Sequence, residues 1–180
     1  MCPELSNTYL DPLTLITNAL EGQFLMYAGR DEEAIARLQK TLALAPDFWT
    51  AHNVLGRVYL RQGRYAEAIA ELSTAKQLSG GSTEPLMQLG YALAKAGESA
   101  KARATLAELE SLTAERQVPA YTFAMIYNGL GETHKALNYL EKSLQEREVQ
   151  ITFIKIDMRW DNLRADPRFQ TLLQGVGFIS

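Results

Sequence analysis

The sequence predicts an all-α chain, an α-α superhelix (solenoid) of four helix-turn-helix repeats followed by a C-terminal capping helix. Three observations carry this prediction. Gly29, Gly63, Gly97 and Gly131 are each separated by 34 residues. Ala34, Ala68, Ala102 and Ala136 keep that interval, as do Leu38, Leu72, Leu106 and Leu140. A further column reads Gly22, Gly56, Gly90 and Ala124. A fixed period over four copies without insertion marks stacked supersecondary units, each burying the face its neighbour leaves open.

Each column has a physical task. The Gly29-type residue can take the left-handed conformation that ends a helix and returns the chain. The Gly22-type residue is small because two helices cross closely there, with the Ala34-type residue as its counterpart on the second helix. The Leu38-type residue follows four positions later on the same face and fills the groove between neighbours. These assignments predict helix pairs at 15–28 with 32–45, 49–62 with 66–79, 83–96 with 99–112, and 117–130 with 133–146. Pro46 stops the second helix, since proline cannot continue a helical ladder. Gly80-Gly81-Ser82 makes the equivalent break one period later; without a preceding strand or a following G-K-[ST] it is a turn and not a phosphate loop.

The second copy, Trp49 to Ala68, carries Leu55, Gly56 and Tyr59, the L-G-x-x-Y core of the tetratricopeptide pattern. On these residues and this period the chain resembles a tetratricopeptide-repeat array over nearly its whole length. The organisation expected is an N-terminal segment at 1–14 and four repeats over 15–148 (15–48, 49–82, 83–116 and 117–150). A C-terminal capping segment follows at 149–180.

The two ends depart from the period. Leu10-Asp11-Pro12 falls where Leu44-Ala45-Pro46 falls one period later, so residues 1–14 read as the remnant of a preceding repeat. The alternative is the native end of a small standalone protein. Glu21 takes a column that holds Leu55, Leu89 and Phe123 elsewhere. A buried charge is costly, so the first helix is expected to pack loosely or stay exposed there. Val149 to Ile156 is apolar enough to begin a fifth repeat. Beyond it, Asp166 suits a helix N-cap, Pro167 the first helical position, and Gly175 the end. Phe169, Leu172 and Leu173 lie on one face of this capping helix. The stretch from Asp161 to Phe169 resembles the tail that closes tetratricopeptide arrays in multidomain bacterial regulators, where the array follows a winged-helix, protein-kinase or nucleotide-cyclase domain.

Composition excludes several function classes. A net charge of -3, with both signs interspersed, lacks the footprint of a nucleic-acid binder. The single cysteine, Cys2, cannot form a disulfide framework and fits a reducing, cytoplasmic setting. No apolar run approaches membrane-spanning length, and no signal-peptide pattern opens the chain. No catalytic constellation is present either. His52 and His134 lie in different repeats without metal-ligand spacing, His52 reading as a core or interface residue and His134 as a solvated helix-start residue. No nucleophile elbow, dinucleotide fingerprint or P-loop occurs. Asp31-Glu32-Glu33 opens a helix, where negative charge favours the macrodipole. Neither an enzyme, a cofactor nor a bound metal is therefore expected.

The resemblance implies that the first helix of each pair lines a concave, peptide-binding groove. Its residues would be Tyr27 from the first repeat and Asn53, Arg57 and Arg61 from the second. The third repeat would add Met87, Tyr91 and Lys95, and the fourth Tyr121, Met125 and Asn128. The cations suit carboxylates, so the expected partner is a protein or peptide with acidic character. Tyrosine and methionine would add adaptable apolar contacts, although residues of this kind at helical spacing also pack between repeats. The positions matching the chaperone-type carboxylate clamp are Ala19, Gln23, Val54, Glu84 and Gln88, which lack its cations. The function expected is a non-enzymatic interaction scaffold, the repeat region of a larger bacterial regulatory protein. The alternatives are a standalone adaptor or a structural scaffold that self-associates through its N-terminal repeat.

Overall fold

A computed structural model describes residues 12–177. Those residues form nine α-helices, two 3₁₀ segments and no strand. The helices are α1 (Pro12–Tyr27), α2 (Asp31–Leu44), α3 (Trp49–Arg61), α4 (Tyr65–Leu78), α5 (Thr83–Lys95), α6 (Ser99–Leu112), α7 (Ala120–Gly129), α8 (Thr133–Gln145) and α9 (Pro167–Gly175). The 3₁₀ segments, Val149–Phe153 and Met158–Leu163, lie between α8 and α9. The chain divides into two compact units, Met1–Gly81 and Ser82–Ser180.

In the first unit α1 packs on α2, α3 packs on both, and α4 packs on α3. Gly29 and Gly63 close their helices at φ 75° and 72°, a region that costs any side chain about 1–2 kcal/mol. The returning amide of Arg64 then donates to the Tyr59 carbonyl at 2.9 Å. At the crossing position, a Cβ on Gly56 would lie 2.6 Å from Leu72 Cγ and 3.2 Å from the Ala68 carbonyl oxygen. The Leu38-type side chain, more than the Ala34-type residue, thus enforces glycine. Glu21 stays half-exposed and accepts a hydrogen bond from Arg37 Nη2 at 2.8 Å. His52 ties the unit's turn to its helices, with Nδ1 2.6 Å from a Glu71 carboxylate oxygen and Nε2 2.8 Å from the Pro46 carbonyl oxygen.

In the second unit α5 packs on α6 and α7, α7 on α8, and α9 on α8. Ser82 caps α5, its hydroxyl accepting the Glu84 amide at 3.3 Å. α7 begins at Ala120, three residues later than the period predicts. Pro119 is the N-cap at φ -57° and ψ 135°, whereas Pro85, one period earlier, lies inside α5, so proline alone does not set the delay. The carboxylate of Glu148 caps the delayed start, accepting the Ala120 and Tyr121 amides at 2.6 and 3.0 Å.

Two expectations for the ends meet a different arrangement. Residues 12–14 open α1, while residues 1–11, with the Leu10-Asp11 part of the repeat-tail match, lie outside the described residues. Val149 to Ile156 forms a 3₁₀ segment and turns where a fifth repeat could have begun. α9 follows its predicted signals: Asp166 accepts the Arg168 amide at 2.8 Å, Pro167 is first, and Phe169, Leu172 and Leu173 are buried.

Candidate functional site

The residues predicted to bind a peptide divide into two environments. In the first unit, Tyr27 ends α1 while Asn53, Arg57 and Arg61 recur along one side of α3, four residues apart. Arg57 Nη2 donates to the Tyr27 hydroxyl at 2.9 Å, with its guanidinium carbon 5.7 Å from the centre of that ring. Gln23 Nε2 donates to the same hydroxyl at 3.3 Å. These partners are neutral, and no carboxylate among the described residues compensates Arg57. Arg61 is different: its Nε lies 3.2 Å from the Asp31 carboxylate at the start of α2.

Asn53 completes this face. It is only 4% exposed, and its Oδ1 has no hydrogen-bond partner among the described residues. An orphaned buried acceptor costs about 1–3 kcal/mol. It lies beneath the surface, and the exposed part of this face is Tyr27 with Arg57, which among the described residues lacks an anion.

The second unit handles the same register differently. Met87, Tyr91, Tyr121, Met125 and Asn128 are all buried, and of the predicted residues in this unit only Lys95 is exposed. The chain's own Asp157–Leu163 stretch bonds to this face of α5 and α7. Arg159 Nη1 donates to Gln88 Oε1 at 2.6 Å, and its guanidinium carbon is 5.7 Å from the centre of the Tyr91 ring. Burial opposes that charge, but the Asp157 carboxylate, 2.9 Å from Nε, together with Tyr121 and Tyr91 raises the guanidinium above its ordinary value. Asn128 Nδ2 donates to the Arg159 carbonyl at 2.6 Å, and Asn162 Nδ2 donates back to Asn128 Oδ1 at 2.9 Å.

Trp160 anchors the stretch. It is wholly buried, edge-on to Tyr121 at 5.7 Å between ring centres and near Phe169 at 6.5 Å. Its Nε1–H donates to the Tyr121 hydroxyl at 3.0 Å. Burial pushes that phenol above its ordinary value, so the hydroxyl remains a neutral acceptor. Fully burying an indole and the adjacent Leu163 gains several kcal/mol, so this covering is part of the folded core. A cleft of about 280 Å³ remains at its edge, lined by Tyr91, Lys95, Asn128, Gly129, Met158 and Arg159 among others.

Comparison with known families agrees with this architecture. Tetratricopeptide-repeat models match residues 20–83, 84–108 and 120–149. The chain is a tetratricopeptide-repeat protein. The unmatched stretch between the second and third matches, 109–119, holds the end of α6 and the turn that precedes α7. A search of curated proteins returned no match.

Tetratricopeptide repeats form protein–protein interaction scaffolds, and that is the coarse function of this chain. Among the described residues of this tetratricopeptide-repeat protein, no group of three or more His, Cys, Asp or Glu side chains is placed to hold a metal. No helix among them is long and apolar enough to cross a membrane. The polar residues that the sequence reading left out of the site are Gln88, Glu148, Arg159 and Asn162. Only Asp157-Met158-Arg159-Trp160, an aromatic set among charges outside the period, hinted at them.

Proposed function

We propose that this tetratricopeptide-repeat protein is a non-enzymatic scaffold that binds an extended peptide segment on the first unit, at Tyr27, Asn53, Arg57 and Arg61. The observation that carries the reading is the partly exposed Arg57, whose partners among the described residues are the neutral hydroxyl and ring of Tyr27. An acidic side chain of the peptide supplies the anion that Arg57 lacks. Arg61 contributes less, because Asp31 already neutralises it. The buried residues of the second unit, Met87, Tyr91, Tyr121, Met125 and Asn128, serve the C-terminal covering in this reading, with Lys95 left at its rim.

The tail from Asp161 to Phe169 supports placing the chain in a cytoplasmic bacterial regulator, as its interaction region. A fluorescence-anisotropy screen of acidic and charge-neutral peptides tests the binding proposal. Arg57→Glu with Arg61→Glu is expected to abolish preference for acidic sequences. Tyr27→Phe, which removes the hydroxyl that positions Arg57, is expected to weaken binding of acidic peptides about tenfold, the equivalent of one hydrogen bond. Unchanged affinity in both variants sinks the proposal.

A further inference from the structure

α1 carries an apolar stripe besides the residues it buries within the first unit. Leu13, Ile16, Leu20, Phe24 and Tyr27 are all exposed, Leu13 and Phe24 by 69% and 68%. At about 100° per residue the five fall within an arc of about 80°. The residues buried by α1 are Ala19, Gly22 and Met26, on a different side of the helix.

The repeat register identifies this stripe as a docking face. Leu20 and Phe24 correspond to Val54 and Val58 of α3, and to Thr122 and Ile126 of α7. Those four residues are buried, Val58 and Ile126 completely. α3 is covered there by packing against α1 and α2, and α7 by packing against α5. Leu20 and Phe24 therefore occupy positions that the repeat geometry covers with another helix.

The stripe also indicates which helix. Its residues are spaced by 3, 4, 4 and 3 positions, the same order from either end. Two copies laid antiparallel about a two-fold axis at Leu20 set Leu13 against Tyr27 of the second copy and Ile16 against Phe24 of the second copy. A closed two-fold interface requires such self-complementarity. Like-charge repulsion is absent, because Glu21, the only charged residue of α1, is bonded to Arg37. Head-to-tail stacking on the exposed Val149, Phe153, Ile156 and Met158 of the second unit would be heterologous and would not set Leu20 against Leu20 of the second copy.

We propose that α1 is a homodimerisation helix, with a second copy of this chain seated antiparallel on its Leu13–Tyr27 stripe. A single helix pair is a small interface, so association is expected over about 1–500 µM. Tyr27 belongs to both faces, but Leu20 and Phe24 do not, so substitutions at those two positions let this proposal and that one fail separately.

Sedimentation equilibrium of the full chain over that range is expected to rise from the 20.1 kDa monomer toward twice that mass. Leu20→Glu with Phe24→Glu is expected to stay monomeric with unchanged circular dichroism, since both positions are exposed. With Cys2 changed to Ser, Leu20→Cys is expected to cross-link to itself on oxidation. Thr14→Cys, about 100° from Leu13 around the same helix, is not. A monomer at every concentration overturns the proposal. So does a dimer that survives both glutamates, or equal cross-linking from positions 14 and 20.

Discussion

Arg159 and Gln88, 71 residues apart in the chain, are joined by a 2.6 Å hydrogen bond from the guanidinium Nη1 to the amide Oε1. Asp157 takes the other side of the guanidinium and Tyr91 lies beneath it. Arg159→Ala leaves the Asp157 carboxylate and the buried Gln88 amide without this partner. It is expected to lower unfolding stability by about 1–3 kcal/mol in urea. Arg159→Lys retains the charge but not the fork, and is expected to recover less than half of the loss. A loss below about 0.5 kcal/mol for the alanine variant would contradict this account.

Glu148 replaces a local cap at the start of α7, with both carboxylate oxygens taking backbone amides. Glu148→Ala is expected to cost about 1–2 kcal/mol, as loss of a helix N-cap does. Amide hydrogen exchange should accelerate most at Ala120 and Tyr121. Uniform acceleration across the second unit would point to global loosening and away from a capping role.

Gly56 and Gly63 are required for different reasons. Gly56→Ala drives a Cβ into Leu72, 2.6 Å from its Cγ, and is expected to destabilise by about 1–3 kcal/mol despite alanine's better helix propensity. Gly63→Ala meets open space but keeps φ near 72°, for a cost of about 1–2 kcal/mol. Double-mutant cycles with Leu72→Ala separate the two. Coupling is expected for position 56 and none for 63.

Glu132 gives the second unit an acid-sensitive contact. Its hydrogen bond to Lys135, with Arg103 adding to it, holds the carboxyl below the ordinary value of 4.5. The folded state therefore binds this proton less readily than the unfolded chain. The resulting stability is full above pH 4.5 and is lost as pH falls through the lowered folded value. The cationic partners are more than half exposed, so the contribution is expected to be below about 1 kcal/mol. Glu132→Gln should flatten the stability difference between pH 6 and pH 3 by that amount in thermal unfolding. An identical acid slope in the variant would assign the effect to other carboxylates.

The helices were legible because their determinants are local and repeated. Gly63 closes a helix through its own backbone freedom, and Asp166-Pro167 starts one through its own side chain and ring. The delayed start of α7 was not legible, since Pro119 stands in the same register as Pro85, which lies inside α5. The first unit's candidate face was partly legible, since Asn53, Arg57 and Arg61 share a helix side by spacing alone. The Oδ1 of Asn53 was not, because whether an acceptor finds a donor depends on every neighbouring element.

The 34-residue period by itself determined the class of fold, the turns and the side of each helix that faces a neighbour. It did so because each constraint spans at most one turn or one helix pair and recurs in four copies. Only the tertiary structure decided that Tyr91, Tyr121 and Asn128 belong to the covered interior of the second unit. Their partners, Arg159, Trp160 and Asn162, lie outside the repeat and reach them through single side-chain hydrogen bonds and one buried indole. Contacts of that kind have no period, and they form only once the chain has brought its last segment back onto α5 and α7.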